Sequence, residues 1–199
     1  MRRLGGGLCA LGIAAVAVVA TERVAAASDC DDLTGGGFIY VNGAMATFDV
    51  GGGCKKGSGA ETPSAPYWGH LEYQDDSTGL EVHWTSITAY QNWDNEGSDD
   101  HGQPVGRRLI CGAATTNDPA HPDVYFALVA ADYGETGITD TLEVLLTDTS
   151  AIYPYFDTGV QALGGGAGGG GNLQLHNPNP STQSGVFGGS CPALAFEGF

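Results

Sequence analysis

From Phe38 onward apolar and polar residues trade places at every second position in short runs, and each run ends at Gly, Asn, Asp or Pro. That period belongs to strands with one buried face. Phe38–Val41 and Ala44–Val50 flank Asn42-Gly43, a dipeptide suited to a two-residue hairpin turn because both positions accept positive φ. A second hairpin is predicted from Gly69–Tyr73 through a turn at Asp76–Gly79 into Leu80–Ile87. In that register Tyr73 lies opposite Val82 and Leu71 opposite Trp84 on an inward face, while Glu72 meets His83 on the outer one. Further strands are expected at Arg108–Ala114, Val124–Ala131, Thr141–Leu146, Ile152–Phe156 and Leu173–His176.

Glycine occupies seven of the ten positions from Leu163 to Asn172, which reads as an extended, core-poor loop leading into the last strand. The remainder, from Asn177 to Phe199, is rich in Pro, Ser and Gly, with Cys191 as its anchor. No stretch after the first 27 residues has helical periodicity. The pattern therefore predicts an all-β fold, an antiparallel β-sandwich of jelly-roll-like or Greek-key type, spanning residues 28–176, with 177–199 as a tethered tail.

The first 27 residues follow a different rule. Met1-Arg2-Arg3 is basic, Leu8–Ala20 is an apolar run of 13 residues, and Ala25-Ala26-Ala27 precedes Ser28. This is the layout of an export signal cleaved before Ser28. The run is too short to cross a hydrocarbon layer of ~30 Å. The expected product is secreted, to the periplasm or the medium, without a membrane helix.

An oxidising compartment changes the meaning of the four later cysteines, Cys30, Cys54, Cys111 and Cys191. An even set there reads as disulfides, with three connectivities open. A turn at 42–43 pairs positions whose numbers sum to 85, so extending that ladder sets residue 30 opposite 55, beside Cys54. Cys30–Cys54 is expected on that ground, and Cys111–Cys191 by elimination.

Charge narrows the partners. The chain carries 23 acidic residues against 7 Lys and Arg, for a formal net charge of −16. After the leader only Lys55, Lys56, Arg107 and Arg108 are basic. Nucleic acid is excluded as a natural partner, since phosphate binding relies on Lys and Arg displacing counterions.

Five strings in order resemble the post-COAP family of secreted bacterial β-domains: Thr34–Ile39, Ala46–Phe48, Gly69–Asp75, Asp132–Asp140 and Gly171–His176. The resemblance spans residues 34–176. It implies an exported all-β module, found in surface or secreted proteins, and carries over no enzymatic activity. The chain departs from the family string at Thr136, where proline is expected.

Two constellations could hold a metal. Asp132, Glu135 and Asp140 share a Gly-containing loop between strands, and such oxygen donors suit Ca²⁺, which takes six to eight of them. His70, Glu72 and His83 meet on the outer face of the second hairpin, where two imidazoles and a carboxylate could hold Zn²⁺ with a position open for water; His176 is a further donor on the last strand. The motifs of serine hydrolases, zinc proteases and phosphate-binding loops are missing. Trp68, Trp84 and Trp93 could stack on sugars, although the hairpin register turns Trp84 inward. The sequence thus predicts a non-catalytic, disulfide-stapled binding or structural module for an extracellular ligand such as a glycan or surface polymer. It requires no cofactor, with Ca²⁺ as the ion it could take. The alternative is a metal-dependent secreted hydrolase built on the His/Glu/His cluster.

Overall fold

The computed structural model describes residues 30–55, 66–148, 153–179 and 185–192. The leader, its cleavage point at Ser28 and the start of the strand expected at Ile152 lie outside them. The strands are β1 (Asp32–Val41), β2 (Ala44–Cys54), β3 (Tyr67–Asp75), β4 (Leu80–Asn92), β5 (Gly97–Ser98), β6 (Pro104–Thr116), β7 (Asp123–Asp132), β8 (Thr141–Asp148), β9 (Phe156–Asp157), β10 (Gln161–Ala162), β11 (Gly171–His176) and β12 (Gly188–Gly189). Both hairpin turns fall where the sequence sets them. Asn42 and Gly43 take φ of 52° and 85°, and Asp75 opposes Leu80 across the 76–79 turn. Four strands, β5, β9, β10 and β12, are two-residue pairings that no alternation could signal, and of the strand expected over Ile152–Phe156 only Phe156, in β9, is strand among the described residues.

The strands form one twelve-stranded antiparallel sheet in which nine run in the order β10-β8-β7-β6-β4-β3-β2-β1-β11, while β12 pairs with β4, β5 with β6 and β9 with β8 off that path. The all-β expectation holds, but a sandwich of two separate sheets is realised as one sheet curled into a half-barrel, whose halves face each other across the core. Neighbours along the chain are neighbours in the sheet, a meander. The return of β11 to pair with β1 is the connection with Greek-key character. Leu33, Ile39, Val50, Leu71, Tyr90, Ile110, Phe126, Leu128, Leu146 and Leu173 fill the inside. Part of the outer face is also buried: Leu109, Cys111, Ala127 and Val129 form a second cluster under Trp93 and Cys191.

The glycine run is not the core-poor loop expected. Leu163 is fully buried, and Leu163–Gly166 form a 3₁₀ turn. A Cβ on Gly170 would stand 2.0 Å from the Gly164 nitrogen, so glycine is there to let two backbone stretches touch.

Curling brings β11 against the end of β7, and two carboxylates close the seam. Leu175 N–H donates to Asp132 Oδ2 at 2.7 Å and Leu173 N–H donates to Asp140 Oδ2 at 2.9 Å. These acids satisfy the edge strand's donors where a further strand would otherwise be needed.

Both expected disulfides form, Cys30–Cys54 and Cys111–Cys191, with Cα atoms 6.0 and 5.2 Å apart. Each contributes about 2–4 kcal/mol, largely by restricting the unfolded chain. Beside the first, Arg108 and Asp31 form a buried ion pair in which the guanidinium also donates to Asn92 Oδ1 at 3.1 Å and the Asp94 carbonyl at 2.8 Å. Tyr90 donates its hydroxyl to the same Asp31 at 2.9 Å.

Candidate functional site

The three glycines of β2, Gly51-Gly52-Gly53, shape the outer face of β3. A Cβ at Gly53 would stand 2.7 Å from the Trp68 indole nitrogen, and one at Gly51 would stand 2.8 Å from the His70 ring. Both rings therefore lie across the neighbouring strand in slots that any side chain would fill. Gly52, facing inward, leaves the same kind of room for Ile110 and Tyr90.

Next to Trp68 the sheet opens. β3 and β4 pair from Asp75 and Leu80 only as far as Glu72 and His83, yet β3 runs on to Tyr67 and β4 to Asn92. Further along, β12 pairs with Tyr90 and Ala89 of β4 and touches Tyr67, filling the gap there. Between the Glu72–His83 pair and β12 lies a cleft of about 390 Å³, lined by Lys55, Tyr67, Trp68, Gly69, Trp84, Thr85, Ser86 and Ile87. The inward Leu71–Trp84 pair is thus corrected. The ladder ends one residue short of it, and the β4–β6 register shifts between Trp84 and Ser86. Trp84 is 40% exposed at the cleft. Trp93 instead packs on the outer cluster around Leu109 and Cys111.

The His/Glu/His constellation is laid out as the register requires, with Glu72 opposite His83 and Asp49 opposite Glu72. Its hydrogen bonding divides it. His83 Nδ1 bonds Glu72, whereas His70 Nε2 sits 3.2 Å from Asp49 Oδ1. The two imidazoles thus answer to different carboxylates. His176 is 2.8 Å from Thr34 Oγ1, at β1 rather than at this face.

The Asp132–Asp140 loop also divides. Asp140 is fully buried and spends one oxygen on Leu173 N–H and the other on Tyr133 N–H at 3.0 Å. Asp132 accepts from Leu175 and from Gly134 N–H at 2.7 Å. Burial pushes both carboxyls above the ordinary range, against the pull of these N–H groups. Asp99 and Glu135 raise Asp132 further. A small polar hollow lies beside it, lined by Asp99, Asp132, Gly134, Glu135, Asn172 and Gln174 among others. Asn172 Oδ1, of this lining, is buried without a hydrogen-bond partner. Among the described residues no group of three or more His, Cys, Asp or Glu gathers as a metal centre. Thr136 takes φ of 87°, which proline, fixed near −65°, does not adopt.

No family model, curated protein or solved structure matches the chain.

Sequence reasoning missed Lys55 and Asp99, because neither sits in a motif and both reach their sites through loops. The signal for the cleft was nonetheless present. Three consecutive glycines in a strand mark close approach, and two tryptophans fall on the next two strands of the sheet, β3 and β4.

Proposed function

We propose that this chain is an exported, non-catalytic β-domain that binds an extracellular saccharide, and that the sugar seats in the cleft between β3 and β4. One observation carries the reading: Trp68 and Trp84 flank a gap where the strand ladder stops. Aromatic faces receive the C–H face of a sugar ring. The facing backbone edges from 67 to 71 and from 84 to 87, beyond the β3–β4 ladder, offer donors and acceptors for its hydroxyls. Two disulfides fit an oxidising compartment, the leader pattern fits export, and among the described residues no helix is long and apolar enough to cross a membrane. The resemblance to the post-COAP family supports the same kind of module. No observation favours the hydrolase reading, since each histidine of its cluster is held in a separate cross-strand pair.

A glycan panel tests the proposal. The protein is expected to bind at least one saccharide, and Trp84→Ala is expected to weaken that binding at least tenfold, about 1.4 kcal/mol. The exposed position predicts little change in melting temperature. Binding unaffected by Trp84→Ala would move the ligand elsewhere.

Calcium at the Asp132–Asp140 loop is a separable part of the proposal and rests only on the three carboxylates that the loop carries, Asp132, Glu135 and Asp140. If the ion binds the folded state alone, a hundredfold excess over Kd raises stability by about 2.7 kcal/mol. Melting temperature then rises in Ca²⁺ over chelator, and Glu135→Gln removes the difference. Asp140→Asn is expected to destabilise by about 1.5–3 kcal/mol in both buffers, because it weakens the seam. Equal wild-type curves in the two buffers remove the ion and leave the seam untouched.

A further inference from the structure

We infer that the saccharide taken by the β3–β4 cleft carries a carboxylate, which Lys55 pairs with at the rim; this rests on the saccharide reading of the cleft. Of the four basic residues after the leader, Lys56 lies outside the described residues. Arg107 is held by Asp94, which accepts from its backbone N–H at 2.8 Å as well as from its guanidinium. Arg108 is buried on Asp31. Lys55 lines the cleft, is exposed, and enters no ion pair among the described residues. In a chain with 23 acidic residues and 7 Lys and Arg, a lysine at an aromatic cleft that enters no ion pair among the described residues is a specific resource. Its backbone is fixed, because Lys55 N–H donates to the Pro66 carbonyl at 2.9 Å across the entry to β3. The ammonium therefore works from an anchored base.

The chemistry of the lining divides the labour. Sugar hydroxyls can be served by Thr85, Ser86 and the open backbone edges. An ammonium adds a full charge, and a charge-assisted hydrogen bond to a carboxylate is roughly twice as strong as a neutral one. The net charge of −16 disfavours a dense polyanion. Over a screening length of ~8 Å, however, one carboxylate beside Lys55 responds mainly to its neighbours. A uronic-acid unit within an oligosaccharide meets these conditions. An extended peptide adding to the open edge of β4 is the weaker fit. The register shifts at Trp84/Ser86 and at Ile87/Ala89 break the even spacing that strand addition uses.

The test measures binding to tetramers of galacturonate, glucuronate and mannuronate, each paired with its carboxyl-reduced form, using the whole exported protein. The acidic member of at least one pair is expected to bind about tenfold tighter. Lys55→Gln should bring the pair to near equality, Lys55→Arg should keep the preference, and added NaCl should erode it. Equal binding of both members in wild type, or a preference that survives Lys55→Gln, overturns the inference and leaves the saccharide reading standing. Binding of neither member of any pair overturns the inference; if the wider glycan panel also fails, the saccharide reading falls with it. Capture of an extended tetrapeptide, lost in Trp84→Ala, in place of any sugar overturns both.

Discussion

Replacing Asp31 by alanine is expected to cost about 3–5 kcal/mol of folding stability, because it strands the Arg108 guanidinium in the interior. Arg108 is 1% exposed and is among the largest fully buried side chains. Burial works against its charge, and the hydrogen bonds and charge of Asp31 outweigh that, so its ionisation is held above the ordinary arginine range. The loss spreads beyond one pair. Asp31 also accepts from Tyr90, and Phe187 of the C-terminal segment lies 5.5 Å from the Arg108 guanidinium carbon. Asp31 thus ties the start of β1 to β4, β6 and that segment, next to the Cys30–Cys54 bridge. Urea unfolding of the oxidised protein measures the cost. Arg108→Met alone should also be costly. The double variant Asp31→Leu/Arg108→Met should recover a large part of the loss, since replacing both partners removes the unpaired charge. A cost under 1 kcal/mol for Asp31→Ala contradicts a buried pair.

The second large effect concerns Glu143 on β8. Its residue is 5% exposed, and its Oε2 has no hydrogen-bond partner. Burial, with Asp157 nearby adding a like charge, pushes its carboxyl up to about 7 from 4.5. The raised value fixes the sign. The folded state holds the proton more tightly than the unfolded one, so the contribution is fully present below about 4.5 and is lost as pH rises through about 7. The loss across that window is on the order of 3 kcal/mol. Asp132 and Asp140, also raised, act in the same direction from a lower starting point. Stability is therefore expected to fall between pH 5 and pH 8, and Glu143→Gln should flatten the fall and raise stability at pH 8 by about 2–3 kcal/mol. Urea midpoints across that range decide it, and an unchanged slope in the Gln variant contradicts the assignment.

What the sequence could convey depended on distance along the chain. Alternation and the Asn42-Gly43 dipeptide are local signals, and they carried the two hairpins, the Glu72–His83 pair and, through the ladder, the Cys30–Cys54 bridge. Trp84 was misread because the hairpin rule assumes that a ladder continues. The ladder instead ends at Glu72–His83, and the shift that follows at Trp84/Ser86 is in the pairing of β4 with β6, a strand outside the hairpin. The seam carboxylates were legible as a cluster but not as hydrogen-bond acceptors for β11, since their partners, Leu173 and Leu175, are placed by the curl of the whole sheet. Asp31 and Arg108, 77 residues apart, left no local trace. Glu143 stood in a run of apolar residues where alternation assigns it outward, and a buried outer face is not visible in one strand.

The central claim is that Trp68 and Trp84 face the ligand. The three tryptophans give three indole N–H signals in an ¹H–¹⁵N spectrum of the protein, assignable by single substitutions. Titration with the saccharide bound most tightly in the panel is predicted to shift the Trp68 and Trp84 signals together along one binding curve, leaving Trp93, on its separate outer cluster, in place. Shifts confined to Trp93, or no shift of any indole on saturation, would contradict the account.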